Sequence, residues 1–495
     1  MSNLASLNLN LIPSSCVTLA DAELAIVQES AGQRLAILAP RGASILNDFQ
    51  GATSEHTDKV LLLGEWNATN IAGLRKNFSW LTPRPLGLQT SAGMGDRIGL
   101  ATPGHIRAVR AVKGNIAPIY AQQSIREMTR TGRSAQQVMD DATWGIFAEG
   151  WRDAMGADAD HLKTTADMDA CAAAGFTFYT IDPGEHVDSE ADTASASVLE
   201  QKIAALPWSQ LETTYADFAK RYVGQAIQLE SHSVAINQEA VARAAVKYGR
   251  AVAHIVAMYR HLVAKKIPCE LEVSVDETDT PTTHAEHIIV ASELKRLGVQ
   301  WVSLAPRYIG RFEKSADYIG DVGAFEKDFA VHAEIARAYG PYKLSIHTGS
   351  DKFSIYGITM QQTRGLVHLK TAGTSYLEAL RTVAAFDPGF FRAIYVFARE
   401  NYEHDRHSYL LSGSLDNAPV PASLRDADLP TLLNQFDARE ILHATFGSVL
   451  TAKKSDGTFV FYDKFMSVLR GNPEAYAKNL EIHFIKHLQP FVSQG

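Results

Sequence analysis

Three short runs of this chain put acids, imidazoles and hydroxyls where they could do chemistry. In Glu270-Leu-Glu-Val-Ser-Val-Asp276, Leu271, Val273 and Val275 alternate with acidic and hydroxyl residues. Alternate residues of a strand share a face, so Glu272, Ser274 and Asp276 point the same way. Lys343-Leu-Ser-Ile-His347 repeats the pattern, and His347 leads directly into the polar loop Thr348-Gly-Ser-Asp-Lys-Phe-Ser354. The third run, Gly156-Ala-Asp-Ala-Asp-His161, sets Asp160 beside His161. Neighbours on a regular strand face opposite ways, so both reach one site only where the strand opens into its loop. Carboxylates on different strands suit general acid–base work. Two imidazoles with a carboxylate suit a divalent metal: Zn, Mn, Fe, Co or Ni.

Each run also has a plainer reading. A surface strand with one solvated face alternates as Glu270–Asp276 does, a strand-end histidine is often only hydrogen-bonded, and Asp160 could cap a helix. The flanking βα units favour a buried strand, and the polar groups gathered after His347 favour a functional histidine. Thr164 or Thr165 is better placed as the cap. No HExxH-type spacing is present, so spacing by itself is weak evidence for a metal. Further candidates are Arg307 at a strand end, Arg311 and Glu313 just after it, Asp351 and Lys352 in the loop after His347, and His368 and Lys370 on a last strand. Basic residues here would supply local positive charge for an anionic substrate. His404, His407 and His443 default to structural roles, although His404 and His407 are spaced to share a helix face.

Something must hold these strand ends together. Apolar runs predict strands at 86–89, 117–122, 156–162, 176–182, 270–276, 301–306, 343–347 and 367–371. Helical patterns fall between several of them, clearest over 239–265, and also at 164–174, 284–297 and 325–338. Gly175, Gly298 and Gly340 sit where helices give way to strands. Helices between apolar strands make parallel βα units, and eight strands in succession predict an α/β fold, a closed (β/α)8 TIM-type barrel. Residues 1–80 read as a small α+β lead-in and 81–385 as the barrel, with a helical insertion at 194–238; 386–495 read as a helical C-terminal region. Side chains at barrel-strand C-termini face the active site, where the polar runs end.

Composition narrows the function. A net charge of −8 with no basic stretch argues against a nucleic-acid surface. Cys16, Cys171 and Cys269 are widely spaced, which supports neither a disulfide framework nor a thiolate zinc site. The absence of a signal-peptide pattern or a long apolar window points to a cytoplasmic enzyme with a small-molecule partner and no membrane. No GxGxxG follows a first strand, so a dinucleotide cofactor has no support.

The runs at 156–183 (GADADHLKTTADMDACAAAGFTFYTIDP), 272–287 (EVSVDETDTPTTHAEH), 303–321 (SLAPRYIGRFEKSADYIGD) and 343–358 (KLSIHTGSDKFSIYGI) resemble the tagaturonate/fructuronate epimerase family, as do 123–133 (QSIREMTRTGR) and 368–381 (HLKTAGTSYLEALR). The likeness spans most of the chain beyond its first 80 residues. It implies a metal-dependent 4-epimerase interconverting D-tagaturonate and D-fructuronate in hexuronate catabolism, with fructose and tagatose as further substrates. It also implies Asp160 as proton acceptor, Glu272 as proton donor, and His161, Glu313 and His347 as metal ligands, with Asp276 and Glu277 as alternative carboxylates. Arg307, Arg311, Asp351, Lys352 and Lys370 are the expected substrate contacts.

The two sugar acids differ at a carbinol carbon one bond beyond the carbon next to the ketone. Its C–H is not α to the carbonyl, so simple enolisation cannot invert it. Retro-aldol cleavage, rotation of the aldehyde fragment and re-addition can; repeated enolisation needs the same residue types. A ketose or uronate isomerase and a class II-type aldolase are the enzymatic alternatives. A non-catalytic sugar-acid binding protein is the alternative of another class, and it would need no proton donor.

Overall fold

The computed structural model describes residues 3–30, 32–371 and 373–492. Eight parallel strands close into a barrel: β1 (Ser91–Gly93), β2 (Ala117–Ser124), β3 (Gly156–Leu162), β4 (Phe178–Ile181), β5 (Glu270–Val275), β6 (Ser303–Pro306), β7 (Lys343–Ile346) and β8 (Val367–Lys370). β8 pairs back onto β1, and helices cover the outside. This is the α/β, TIM-type architecture that the alternation of elements predicts.

Seven of the eight strands fall where the apolar runs predict them; the first does not. Leu86–Gln89 forms a turn whose Leu86 amide donates to Glu270 Oε2 at 2.9 Å, with the Gly87 amide also donating to that carboxylate. The real β1 is Ser-Ala-Gly, three small buried residues with no apolar periodicity to betray them.

Every residue of β5 is buried, so its polar face lines the barrel rather than solvent. Register then does the positioning. Glu272 lies opposite Thr180 on β4 and opposite Ser303 on β6. Helices begin where the caps predict. Thr164 closes a capping box on Thr165–Ala174, Thr283 does so on His284–Arg296, and Asn237 caps the 27-residue helix Gln238–Ala264.

Ahead of the barrel, five antiparallel strands form a sheet, and Ala68–Asn77 is helical. The 194–238 segment holds two helices, Ala196–Ala204 and Tyr215–Tyr222, and also the hairpin Gln225–Gln228/Ser233–Ile236, which short polar alternation concealed. Beyond β8 the chain is helical, ending in Pro473–Leu488. That last helix lies against Thr102–Val112 at Gly104, where a Cβ would stand 2.5 Å from Leu480 Cβ. No helix among the described residues is long and apolar enough to cross a membrane.

Candidate active site

The C-terminal ends of β3, β5, β7 and β8 bring Asp160, His161, Glu272, His347 and Lys370 into one cluster. Asp160 and His161 both reach it because β3 breaks its pattern there. His161 has φ +51°, and the β3–β4 register shifts between Ala159 and Leu162. A left-handed non-glycine residue costs free energy, and such residues gather at functional sites. Thr348, directly after His347, is also left-handed, with φ +49°.

Lys370 Nζ is the hub. It lies 2.6 Å from Asp160 Oδ1, 2.7 Å from Glu272 Oε1, 3.1 Å from Asp158 Oδ2 and 2.6 Å from Thr180 Oγ1. Ser303 Oγ donates to the other Glu272 oxygen at 2.6 Å. Burial acts to raise the Asp160 carboxyl, but His161, Lys370 and His347 outweigh it and hold the group well below its ordinary value. Glu272 is likewise ionised: burial is overcome by Lys370 and His347. Burial also raises Lys370's cost of charge, yet Asp158, Asp160 and Glu272 keep it protonated.

His347 stands between two carboxylates. Its Nε2 is 2.7 Å from Glu272 Oε1 and its Nδ1 is 3.2 Å from Asp276 Oδ1. Burial would lower its value, but Asp276 and Glu272 raise it to about 10. The His161 ring lies perpendicular to it, with centroids 5.1 Å apart.

A divalent ion fits these residues on two counts. Asp160, His161 and His347 each offer a ligand atom within 4.8 Å of the others. The Nδ1 atoms of His161 and His347 are buried and face carboxylates, Asp182 Oδ2 at 3.6 Å and Asp276 Oδ1 at 3.2 Å, without good hydrogen-bond geometry, an arrangement that a cation between them would satisfy. The charge balance agrees. Asp158, Asp160 and Glu272 converge on Lys370, and Asp182 and Asp276 stand beside His161 and His347.

Above the cluster opens a cavity of about 300 Å³, whose walls include Arg126, Asp276, Glu277, Arg307, Tyr308, Lys314, His347 and Tyr409. Arg126 is paired with Glu277 at 2.8 Å. Among the described residues the Arg307 guanidinium has no ion-pair partner, so it is free to meet an anion.

Several expected residues lie elsewhere. Glu313 is fully buried, and among the described residues its carboxylate is engaged by groups other than His161 and His347. Arg311 pairs with it, and Ser412 donates to it from its amide at 2.9 Å and its hydroxyl at 2.7 Å. Asp351 binds Arg439 and His483, each at 2.6 Å, and so anchors the C-terminal helices. Lys352 Nζ donates to the carbonyls of Glu313, Ala316 and Ser350. Burial pushes its ammonium down to about 7, and its donors are already committed to backbone. His368 lies one layer below the cluster, 2.9 Å from Ser91 Oγ. His443 braces Arg97 and Ser315, while His404 is exposed beside Asp405.

Sequence reasoning missed Asp158, Thr180 and Ser303, although Asp158 stands two residues before Asp160 on the same strand face. It also missed Arg126, in the first turn of the helix Ile125–Thr131, and Lys314 and Tyr409, from a loop and from the C-terminal region.

Residues 12–491 match the UxaE family, described as tagaturonate epimerase. The tagaturonate/fructuronate epimerase of Thermotoga maritima is 38% identical over 463 residues, 94% of this chain and 93% of that one. The native crystal structure of the fructuronate-tagaturonate epimerase UxaE from Cohnella laeviribosi matches with a TM-score of 0.92 at 36% identity, covering 99% of this chain and 97% of the other. A glycerol complex of the same enzyme matches with the same score, identity and coverage. With the match running through both the barrel and the C-terminal helices, the chain belongs to the tagaturonate epimerase family, enzymes of the isomerase class.

Proposed function

We propose that this chain interconverts D-tagaturonate and D-fructuronate by a metal-assisted retro-aldol route, with Asp160 and Glu272 handling the protons. The observation that carries the proposal is the sharing of Lys370 by those two buried carboxylates, beside His347.

His161 and His347 would hold the ion, with Asp160 or Asp276 as the carboxylate nearest to them. A bound divalent ion supplies Lewis-acid stabilisation of the negative charge that develops as the carbon–carbon bond opens. The protein's own residues do the rest. Asp160, held ionised, takes the hydroxyl proton of the carbon to be inverted. Cleavage leaves an aldehyde free to turn, and re-addition on its other face creates the new alkoxide. Glu272, once protonated, returns a proton to that oxygen. Both carboxylates touch the Lys370 ammonium, so a short hydrogen-bonded path links the group that gains a proton to the group that loses one. Arg307 at the cavity wall is the proposed contact for the substrate carboxylate. Neutral ketoses such as fructose and tagatose lack that charge and are proposed as weaker substrates.

The test is product analysis. Tagaturonate incubated with metal-reconstituted protein should yield fructuronate. An aldose product would instead indicate an isomerase, stable three-carbon fragments an aldolase, and binding without turnover a sensor.

A further inference from the structure

A second group of imidazoles lies outside the barrel, between the helices His284–Arg296 and Val322–Tyr339. We infer that His284, Asp328 and His332 form a second divalent-metal site of the zinc class, separate from the cluster at the barrel mouth.

The three side chains each offer a ligand atom within 4.8 Å of the others. Asp328 and His332 are four residues apart on one helix and so share a face. His284 comes from the neighbouring helix, with its Nε2 3.0 Å from Asp328 Oδ1. The His284 and His332 rings meet edge to face, with centroids 4.8 Å apart. Two imidazoles and a carboxylate, with a fourth position left to water, is a donor set that zinc accepts.

The second, independent observation is His332 itself. Its side chain is fully buried, and its Nε2 has no hydrogen-bond partner, standing 3.7 Å from Asp328 Oδ2. An orphaned ring nitrogen in a dry place is costly unless something binds it. Its other nitrogen is already engaged: His332 Nδ1 is 2.9 Å from His287 Nδ1, and His287 Nε2 is 2.9 Å from the Tyr342 hydroxyl. If His332 Nδ1–H donates to His287, then His287 Nε2–H donates to Tyr342. That leaves the His332 Nε2 lone pair pointing at the Asp328 side. This is how metal-binding histidines are held, with the far nitrogen tied by a hydrogen bond that fixes the tautomer.

Two effects pull in opposite directions. His284 is in the first turn of its helix, whose dipole opposes a cation. Asp328 brings a full negative charge to the same spot, which outweighs a partial one. Access is open, because the His284 side chain is 28% exposed and that of Asp328 21%.

The place of this site gives it a purpose. The His332 ring packs against Tyr308, which lines the catalytic cavity. Thr282, two residues before His284, exchanges hydrogen bonds with the Arg307 backbone at 2.8 and 3.0 Å. A metal here would pin two outer helices behind the wall that carries Arg307.

Metal analysis after dialysis against ZnCl2 tests the inference. H284A/D328A should hold about one equivalent of zinc per chain less than the wild type. The same difference should appear when both proteins also carry H161A and H347A, whether or not the barrel-mouth cluster takes metal. In that background zinc should raise the Tm of the chain with the outer site intact and leave H284A/D328A unmoved. Equal zinc content in the two proteins, in either background, would overturn the inference and leave His284–Asp328 an ordinary ion pair.

Discussion

Glu272 and His347 are joined by a 2.7 Å contact between Oε1 and Nε2, so the proposed proton donor also orients a proposed metal ligand. The contact occupies one ring nitrogen of His347, and the other, Nδ1, faces Asp276 Oδ1 at 3.2 Å. Glu272 is thus tied to both His347 and Lys370 through the same oxygen. Its two jobs separate by variant. Glu272→Gln should cut kcat by about 10²–10⁴-fold, the usual worth of a general acid or base, and should loosen metal affinity as well. Asp160→Asn should cut kcat to a similar extent. Steady-state kinetics with parallel metal analysis checks both, and near wild-type kcat for either amide would remove that residue from the chemistry.

Chelation should abolish turnover, and Mn, Co, Ni or Zn should restore it. His161→Ala and His347→Ala should lose activity and metal while keeping their circular dichroism, because neither ring fills the apolar core. Glu313→Gln separates the sequence expectation from the structure. With its carboxylate held by Arg311 and Ser412, it should retain the active-site metal and show its effect in stability instead.

Lys370→Met removes the ammonium that faces Asp158, Asp160 and Glu272. The carboxylates then lose the cation that helps hold them below their ordinary values, so their values rise. Asp160 must be ionised to accept a proton, and the acid limb of kcat/KM should therefore move to higher pH. Leaving buried charges uncompensated should also cost about 3–5 kcal/mol, readable by urea unfolding. An unmoved acid limb would count against Asp160 as the acceptor.

Arg307→Ala should raise KM for tagaturonate more than for fructose, since only the first carries a carboxylate. Arg311→Ala should change neither ratio, as its guanidinium is engaged by Glu313. Equal effects of Arg307→Ala on both sugars would place the substrate carboxylate elsewhere.

Asp351 ties the loop after β7 to the C-terminal helices. Burial opposes its charge, but Arg439 and His483 hold the carboxyl well below its ordinary value. A depressed folded value means the stabilisation is fully present above the unfolded value of about 3.9 and is lost as pH falls through the folded one. Asp351→Ala should therefore cost about 3–5 kcal/mol at pH 7 and progressively less as the solution is acidified below about pH 4. A cost that does not change with pH would point to packing rather than charge.

Much of this molecule was legible in its sequence, for reasons particular residues make plain. The alternation in Glu270–Val275 placed Glu272 on an inward face because a strand has period two, and βα units on either side forced both faces indoors. Asp160 and His161 demanded an opened strand, and the left-handed His161 is that opening. What escaped was set by tertiary structure. Ser-Ala-Gly carries no apolar signature for β1, and the polar residues of 311–313 and 351–352 looked like site loops but are held by the C-terminal helical region and by backbone carbonyls. Tyr409 reaches the cavity only because the C-terminal region folds over it.

NMR of D-tagaturonate incubated in D2O with the metal-reconstituted protein tests the central claim most directly. The inverted carbon keeps its hydrogen if the bond beside it breaks and re-forms, whereas enolisation exchanges carbon-bound hydrogen with solvent. The account predicts D-fructuronate with no deuterium on carbon, and loss of that conversion in Asp160→Asn. Fructuronate carrying deuterium on carbon would contradict the retro-aldol route, and no fructuronate at all would contradict the proposed function.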